Sequence, residues 1–297
     1  MFHMKPNGEV VVDVLGTAVH VVVSRPDAAA APAPVVVLCG GLASTWHDWI
    51  DVSALLVAAG HTTVAIDRPG FGDSEPLPPD RVPTVHEEAD RILAVLDALA
   101  MTDPVVLVGH SMAGFYVEGF ARSYPARTAA LVLLDSSVEK SPSALVPPRI
   151  RIPVTRVIAR IVSAAGLQRL LADPVRHVLT QAIPPDGYAP DRVDDLRRIY
   201  RDPSYLEAAA IEYAVYADMA LELNRLRRAT PVPSVPVIVA AAHTGRRTPW
   251  GAQWLRRQQR LARYLGGRFA VVSPSHHHAM IDQPRRVAAL VRTVSTG

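Results

Sequence analysis

The chain predicts an α/β fold: a mostly parallel, doubly wound sheet with a helical insertion. Three observations carry this. Over the first 140 residues, short β-branched apolar runs alternate with helical patterns. From 141 to 230 no buried strand is readable. Strand–helix alternation then resumes to the end of the chain.

The elements follow in order. Glu9–Val14 and Thr17–Val23 alternate around Gly16 and read as an antiparallel hairpin. Ala28–Pro34 is a short Ala/Pro connection. Val35–Leu38 is wholly apolar, as expected of a strand covered on both faces. A helix over Asp51–Ala59 ends at Gly60, and Thr62–Ile66 is the next buried strand. The proline-rich loop Pro76–Pro83 leads into a helix over Val85–Leu99. Val105–Val108 and Ala130–Leu134 are strands, separated by a helix over Gly114–Ser123 that stops at Pro125. The insertion contains amphipathic helical stretches, notably Val154–Leu171 and Leu206–Arg228. Past Pro233–Pro236 come a strand at Val237–Ala241, a helix over Gln253–Leu265, a strand at Arg268–Val272 and a terminal helix over Arg285–Val294. There are no internal repeats. The organisation expected is a core of residues 1–140 and 231–297, with a helical cap at 141–230.

With 297 residues, 49% hydrophobic and 20% charged, the composition is that of an ordinary globular chain with one large core. A single cysteine excludes an internal disulfide framework. The N-terminus lacks the apolar centre and small-residue cleavage site of a signal peptide, and no apolar run approaches bilayer-spanning length. A cytoplasmic location without an integral membrane segment is therefore expected. The net charge of +3 is unevenly distributed. Residues 1–139 carry 7 basic against 17 acidic side chains, residues 140–245 carry 14 against 10, and residues 246–297 carry 10 against 1. No interleaving of aromatic and basic residues marks a nucleic-acid surface. If the two ends of the chain share one sheet, these charges partly neutralise.

The most informative stretch is Val105–Tyr116, VVLVGHSMAGFY. A buried strand enters Gly109-His110-Ser111-Met112-Ala113-Gly114 and leaves as a helix. A serine on such a sharp turn is held in a strained backbone conformation with its hydroxyl above the sheet. The residues two before and two after it come close together, so both must be small; here they are Gly109 and Ala113. The usual pattern is G-x-S-x-G, and Ala113 adds one methyl group to it. The helix beginning after Ser111 offers unpaired N–H groups, and that of Met112 can point at a developing oxyanion.

In this context the chain resembles the α/β-hydrolase superfamily, in its esterase- and lipase-like branch with a helical cap. Three further segments match in order. Leu38-Cys39-Gly40-Gly41-Leu42 stands where that family carries its oxyanion loop, Trp49 where it places an aromatic under that loop, and Ile66-Asp67-Arg68-Pro69-Gly70-Phe71-Gly72-Asp73-Ser74 where it has a D-x-x-G-x-G-x-S turn. The resemblance implies Ser111 as nucleophile and the Gly41 N–H as second oxyanion donor beside Met112. Cys39 departs from the family's usual histidine and is expected to be a buried strand-end residue.

A serine hydroxyl needs a neighbouring base, and histidine suits neutral pH. The family's histidine lies in the loop after the last strand, where three stand together: His276, His277 and His278. Counting seven residues back from Pro284, as the resemblance implies, selects His277. The family's commonest acid position, after the penultimate strand, reads Ala242-His243-Thr244-Gly245 and holds no carboxylate. Some branches place the acid after the strand that follows the nucleophile helix, which selects Asp135. A metal site from the histidine triplet is the competing idea, but adjacent side chains diverge and no Cys or carboxylate cluster supports it. His47, His243 and His110 are expected to shape loops.

The expected reaction is cleavage of a carboxylic ester, or a related acyl bond, of a small apolar substrate through an acyl-enzyme on Ser111. No metal or organic cofactor is needed. A serine rather than an aspartate at this position argues against dehalogenase and epoxide-hydrolase chemistry. The same fold also carries C–C bond hydrolases, aminopeptidases and cofactor-free lyases or oxygenases, and a non-catalytic ligand binder is a further alternative. Within Arg149–Arg176, Val154, Val157, Ile158 and Ile161 recur at helical spacing. They are expected to pack on the core with the arginines solvated; the alternatives are an acyl pocket or contact with lipid.

Overall fold

The protein, described as a computed structural model, covers residues 3–4, 8–26, 33–139, 146–169, 182–187 and 190–295. Nine strands form one sheet. They are β1 (His3–Met4), β2 (Glu9–Val14), β3 (Thr17–Ser24), β4 (Val36–Cys39), β5 (Thr63–Ile66), β6 (Val105–His110), β7 (Thr128–Leu134), β8 (Val237–Ala242) and β9 (Arg268–Val272). Their order is β1-β2-β3-β5-β4-β6-β7-β8-β9. The first three pairings in this order are antiparallel, and every pairing from β5 to β9 is parallel. The helices are α1 (Ile50–Ala58), α2 (Val85–Ala98), α3 (Ala113–Ser123), α4 (Pro148–Ala164), α5 (Pro190–Tyr200), α6 (Pro203–Ala229), α7 (Pro249–Tyr264), α8 (Ala279–Asp282) and α9 (Pro284–Ser295).

The pleat explains why the parallel strands are apolar throughout. Val37, Val64, Leu107, Leu131 and Val239 point to one face, under α2, α3 and α7. Their neighbours Val36, Leu38, Val106, Val108, Val132 and Ile238 point to the other, under α1 and α9. Thr84 caps α2 by accepting from the Glu87 N–H at 3.0 Å, and Thr248 caps α7 by accepting from the Gly251 N–H at 3.0 Å.

Every strand and core helix read from the sequence is present, with ends shifted by a few residues. The segment 141–230 contributes no strand among its described residues, as expected, but it departs from expectation in three ways. Helix α5 was not anticipated. Helix α4 starts at Pro148 and ends at Ala164, earlier than the expected stretch, whose last residues, 170 and 171, lie outside the described ones. The apolar stripe of α4 also faces the opposite way. Val154, Val157, Ile158 and Ile161 are exposed, while Arg156 is buried against Glu207 and the carbonyls of Pro78 and Arg81. The inner side of the helix meets polar groups, so the arginines rather than the aliphatics satisfy it.

The two ends of the chain share the sheet but at opposite edges, β1–β3 at one and β8–β9 at the other. Contact between the acidic and basic parts runs instead through α9, which crosses back to pack on α1. Strand order reverses between β4 and β6, which leave their common boundary in opposite directions. Ligands of open α/β sheets bind outside the carboxyl ends of the strands at such a point. Here those ends are Cys39 and His110, followed by Gly40–Gly41 and by Ser111.

Candidate active site

Ser111 leaves β6 with φ +53°, in the left-handed region where a side chain is strained. Its N–H donates to the Leu134 carbonyl at 3.0 Å, and its carbonyl accepts from Gly114 at 3.1 Å and Ser137 at 3.0 Å. The turn is tight for the reason its sequence suggests. A methyl group on Gly109 would lie 2.7 Å from the Ala113 carbonyl oxygen and 2.5 Å from Val117 Cγ2. Ala113 itself is accommodated and fully buried, so the extra methyl is absorbed on that side of the turn.

The Ser111 hydroxyl and His277 Nε2 are 2.9 Å apart, and His277 Nδ1 lies 2.6 Å from Asp135 Oδ2. Of the three adjacent histidines, only His277 reaches Ser111. His276 is exposed, and its backbone N–H donates to Asp282 Oδ2 at 2.7 Å. His278 is buried at the start of α8, its ring 4.9 Å from that of His110. The His277 side chain is 42% exposed against 5% for Asp135, so the imidazole is open to solvent while the carboxylate behind it is not.

Asp135 follows β7 with φ +44°. Its Oδ1 accepts from the Ala242 N–H at 2.9 Å and from the Trp254 indole N–H at 2.6 Å. Each carboxylate oxygen thus has its own partners, with His277 on one and two N–H donors on the other. A cavity of about 390 Å³ borders Asp135 and His277 and is lined by His243, Trp250 and Trp254; Ser111 does not line it. His243 stands near the family's commonest acid position, and its Nδ1 accepts from the Gly245 N–H at 3.0 Å.

His110 is buried in the turn. Its Nε2 donates to the His277 carbonyl at 2.9 Å, which ties the Ser111 turn to the histidine loop. Burial, together with the neighbouring His277 and His278, holds its pKa well below the usual histidine value, so the ring is neutral. His47 is also buried and held below the usual value by that burial. It stacks on Trp46 at 4.3 Å.

The Gly40–Ala43 loop passes directly over Ser111. A methyl group on Gly41 would lie 2.7 Å from Ser111 Cβ, so only glycine lets the backbone approach this closely. The loop is braced from outside. Arg68 donates to the Gly40 and Gly41 carbonyls, each at 2.7 Å, and pairs with Glu212 of α6 at 2.5 Å. Glu212 also accepts from the Ala43 N–H at 3.2 Å, and the Tyr205 hydroxyl donates to the Ala43 carbonyl at 2.7 Å. Burial works against the charge on Arg68, but Glu212 outweighs it and the guanidinium stays protonated. Sequence reasoning missed this brace, since 144 residues separate its two charges. Cys39, where the family's bracing histidine is expected, ends β4 in the core. Burial pushes its thiol up to about 12, so it is an unreactive packing residue. Trp49, expected under the Gly40–Gly41 loop, is fully buried and packs in the core cluster with Val52 and Leu56 of α1.

Among the described residues no helix is long and apolar enough to cross a membrane. The one group of three or more potential metal ligands within 4.8 Å of one another among them is Glu9, His20 and Asp73.

Comparison with known proteins agrees with this architecture. A segment of 103 residues is 31% identical to bifunctional epoxide hydrolase 2 of Mus musculus, over 35% of this chain and 18% of that protein. The chain therefore matches well under two thirds of that relative's length. Among solved structures, Cfl2 from Burkholderia cenocepacia superimposes with a TM-score of 0.74 at 22% identity, covering 99% of both chains. A thermophilic esterase from Thermogutta terrifontis does so with a TM-score of 0.66 at 21% identity, covering 97% of this chain and 99% of that one. At these identities both likenesses concern the fold. The profile of the Alpha/beta hydrolase family matches residues 35–290, and the chain belongs to that family.

Proposed function

We propose that the protein is a serine hydrolase that cleaves a carboxylic ester, or a related acyl bond, through an acyl-enzyme on Ser111. The observation that carries this reading is the relay from Ser111 Oγ to His277 Nε2 at 2.9 Å and from His277 Nδ1 to Asp135 Oδ2 at 2.6 Å. His277 takes the serine proton as Oγ attacks the acyl carbon. Asp135 accepts from Nδ1–H, which fixes the tautomer and favours the imidazolium. The Gly41 and Met112 N–H groups receive the oxyanion, each contributing about 3 kcal/mol. His277 then protonates the leaving group, and a water activated by the same imidazole releases the acyl group. None of these steps calls for a cofactor.

The epoxide hydrolase likeness does not extend to the nucleophile. A carboxylate that opens an epoxide leaves an ester, which water can cleave at its carbonyl. A serine would leave an ether, which this machinery cannot hydrolyse, so Ser111 favours acyl substrates. Residues 141–230 act in this reading as a cap, since α6 braces the loop over the nucleophile through Glu212 and Tyr205.

The direct test is labelling with a fluorophosphonate and mapping the adduct by mass, with Ser111→Ala and Asp135→Asn alongside. Labelling of Ser111, absent in the alanine variant and slowed in the asparagine one, supports the relay. A folded wild type that takes no label overturns it. A panel of acyl esters graded by chain length then separates substrate classes.

A further inference from the structure

The outer face of α4 carries an exposed apolar stripe that no other described element packs against. Ile150, Val154, Val157, Ile158 and Ile161 fall on one side of the helix and are each between 51 and 63% exposed. Val146 and Leu167 extend the patch beyond the helix ends, at 44 and 43%. The helix spans about 25 Å, so this is a continuous convex ridge rather than scattered single side chains, and apolar surface of that extent marks a contact site. Its shape rules out a small-molecule pocket, which is concave.

The charge beside the ridge selects the occupant. Residues 148–164 contain four arginines and no carboxylate. Arg151 and Arg156 turn inward to Asp218 and Glu207. Arg149 is exposed, and Arg160, which shares Glu207 with Arg156, keeps 62% of its side chain in solvent. Both flank the same edge of the stripe. A second copy of the chain packed antiparallel, ridge to ridge, would bring these arginines against their counterparts. A surface that is apolar in depth and anionic at its boundary satisfies both features.

We propose that α4 docks the protein on the surface of an anionic lipid bilayer. The helix lies in the plane of the interface, its aliphatic stripe entering the boundary between headgroups and acyl chains, while Arg149 and Arg160 extend to lipid phosphates. The proposal rests on the exposed face and is independent of the chemistry assigned to Ser111.

The test is co-sedimentation of the full chain with vesicles of phosphatidylcholine mixed with phosphatidylglycerol, and with vesicles of phosphatidylcholine alone. Binding is expected to the anionic vesicles and to fall with added salt. Arg149→Ala is expected to weaken it about fivefold. Ile158→Asp with Ile161→Asp is expected to abolish it while leaving fluorophosphonate labelling of Ser111 unchanged. Failure of the folded wild type to bind either vesicle overturns the proposal. So does a dimer in sedimentation velocity that the aspartate pair dissociates, because the ridge would then be covered by a second copy. Vesicle binding by a protein that takes no fluorophosphonate would leave this proposal standing and remove only the hydrolase reading.

Discussion

Trp254 donates its indole N–H to Oδ1 of Asp135 at 2.6 Å, on the carboxylate oxygen that His277 does not use. The Ala242 N–H shares that oxygen at 2.9 Å. Two donors on one side thus hold the carboxylate in the orientation that presents Oδ2 to the imidazole. Hydrogen bonds to a charged group are worth about 1.5–3 kcal/mol. Trp254→Phe keeps the aromatic body and removes the donor. It is expected to lower kcat about tenfold with little change in KM. A kcat indistinguishable from wild type would show that Trp254 only packs.

Asp135→Asn tests the displaced acid. Asn accepts the left-handed backbone at φ +44° as readily as Asp does, so the fold should persist. The side-chain amide, however, would place an N–H against His277 Nδ1, or rotate and lose the Ala242 and Trp254 donors. The first arrangement holds the imidazole in the wrong tautomer and the second sets the amide NH2 against two N–H donors, and kcat is expected to fall by about three to four orders of magnitude. His243→Ala, at the family's commonest acid position, should stay within about twofold of wild type. Steady-state kinetics on one activated ester compares the two. A severe loss in the His243 variant with mild loss in the Asp135 one would sink the assignment.

Much of this site was legible because its chemistry sits in short, ordered stretches. Gly109–Gly114 encodes the turn locally, and the apolar strand before it leaves Ser111 no alternative backbone path. His277 and Asp135 were reachable only through resemblance, since their pairing with Ser111 depends on where three distant loops converge. The Arg68–Glu212 brace and the Trp254 donor had no such handle. Nothing in the spacing of Arg68 and Glu212, or of Trp254 and Asp135, marks them as neighbours; the folded sheet and α6 bring them together. Helix α5 did leave a signal, with Leu196, Ile199 and Tyr200 at helical spacing after Pro190. The direction faced by α4 did not, because an amphipathic pattern fixes the period of a face and not which side meets the protein.

The brace of the Gly40–Gly41 loop makes a separable prediction about stability and rate. Arg68 and Glu212 are both buried. Removing one partner strands the other charge in the interior, at a cost of about 3–5 kcal/mol. Glu212→Gln is therefore expected to lower the urea midpoint sharply. The double variant Arg68→Met with Glu212→Leu should recover most of that stability, because no unpaired charge remains. It should not recover activity, since the Gly40 and Gly41 carbonyls lose their donors and the loop beside Ser111 is no longer held in place. A double variant with wild-type kcat would mean that the brace serves folding alone.

The buried histidines predict how stability follows pH. Burial, with His277 and His278 nearby, depresses the pKa of His110 in the folded state. The unfolded chain therefore takes up that proton first, near the ordinary value of 6.5. The contribution of a neutral His110 is complete above that value and is lost as pH falls below it, at up to about 1.4 kcal/mol per pH unit. His20 behaves in the opposite sense. Burial lowers its pKa, but the hydrogen bond to Asp67 and the charges of Asp67, Asp73 and Glu9 raise it to a net value above 6.5. Its contribution is complete below 6.5 and is lost as pH rises through the folded value. Urea denaturation from acid pH to above neutrality separates the two. His110→Gln, which keeps a donor for the His277 carbonyl, should flatten the fall in stability below 6.5. His20→Asn, which keeps a donor for Asp67, should remove a decline that begins above it. Parallel curves for wild type and His110→Gln below 6.5 would show that His110 is not held neutral by the fold.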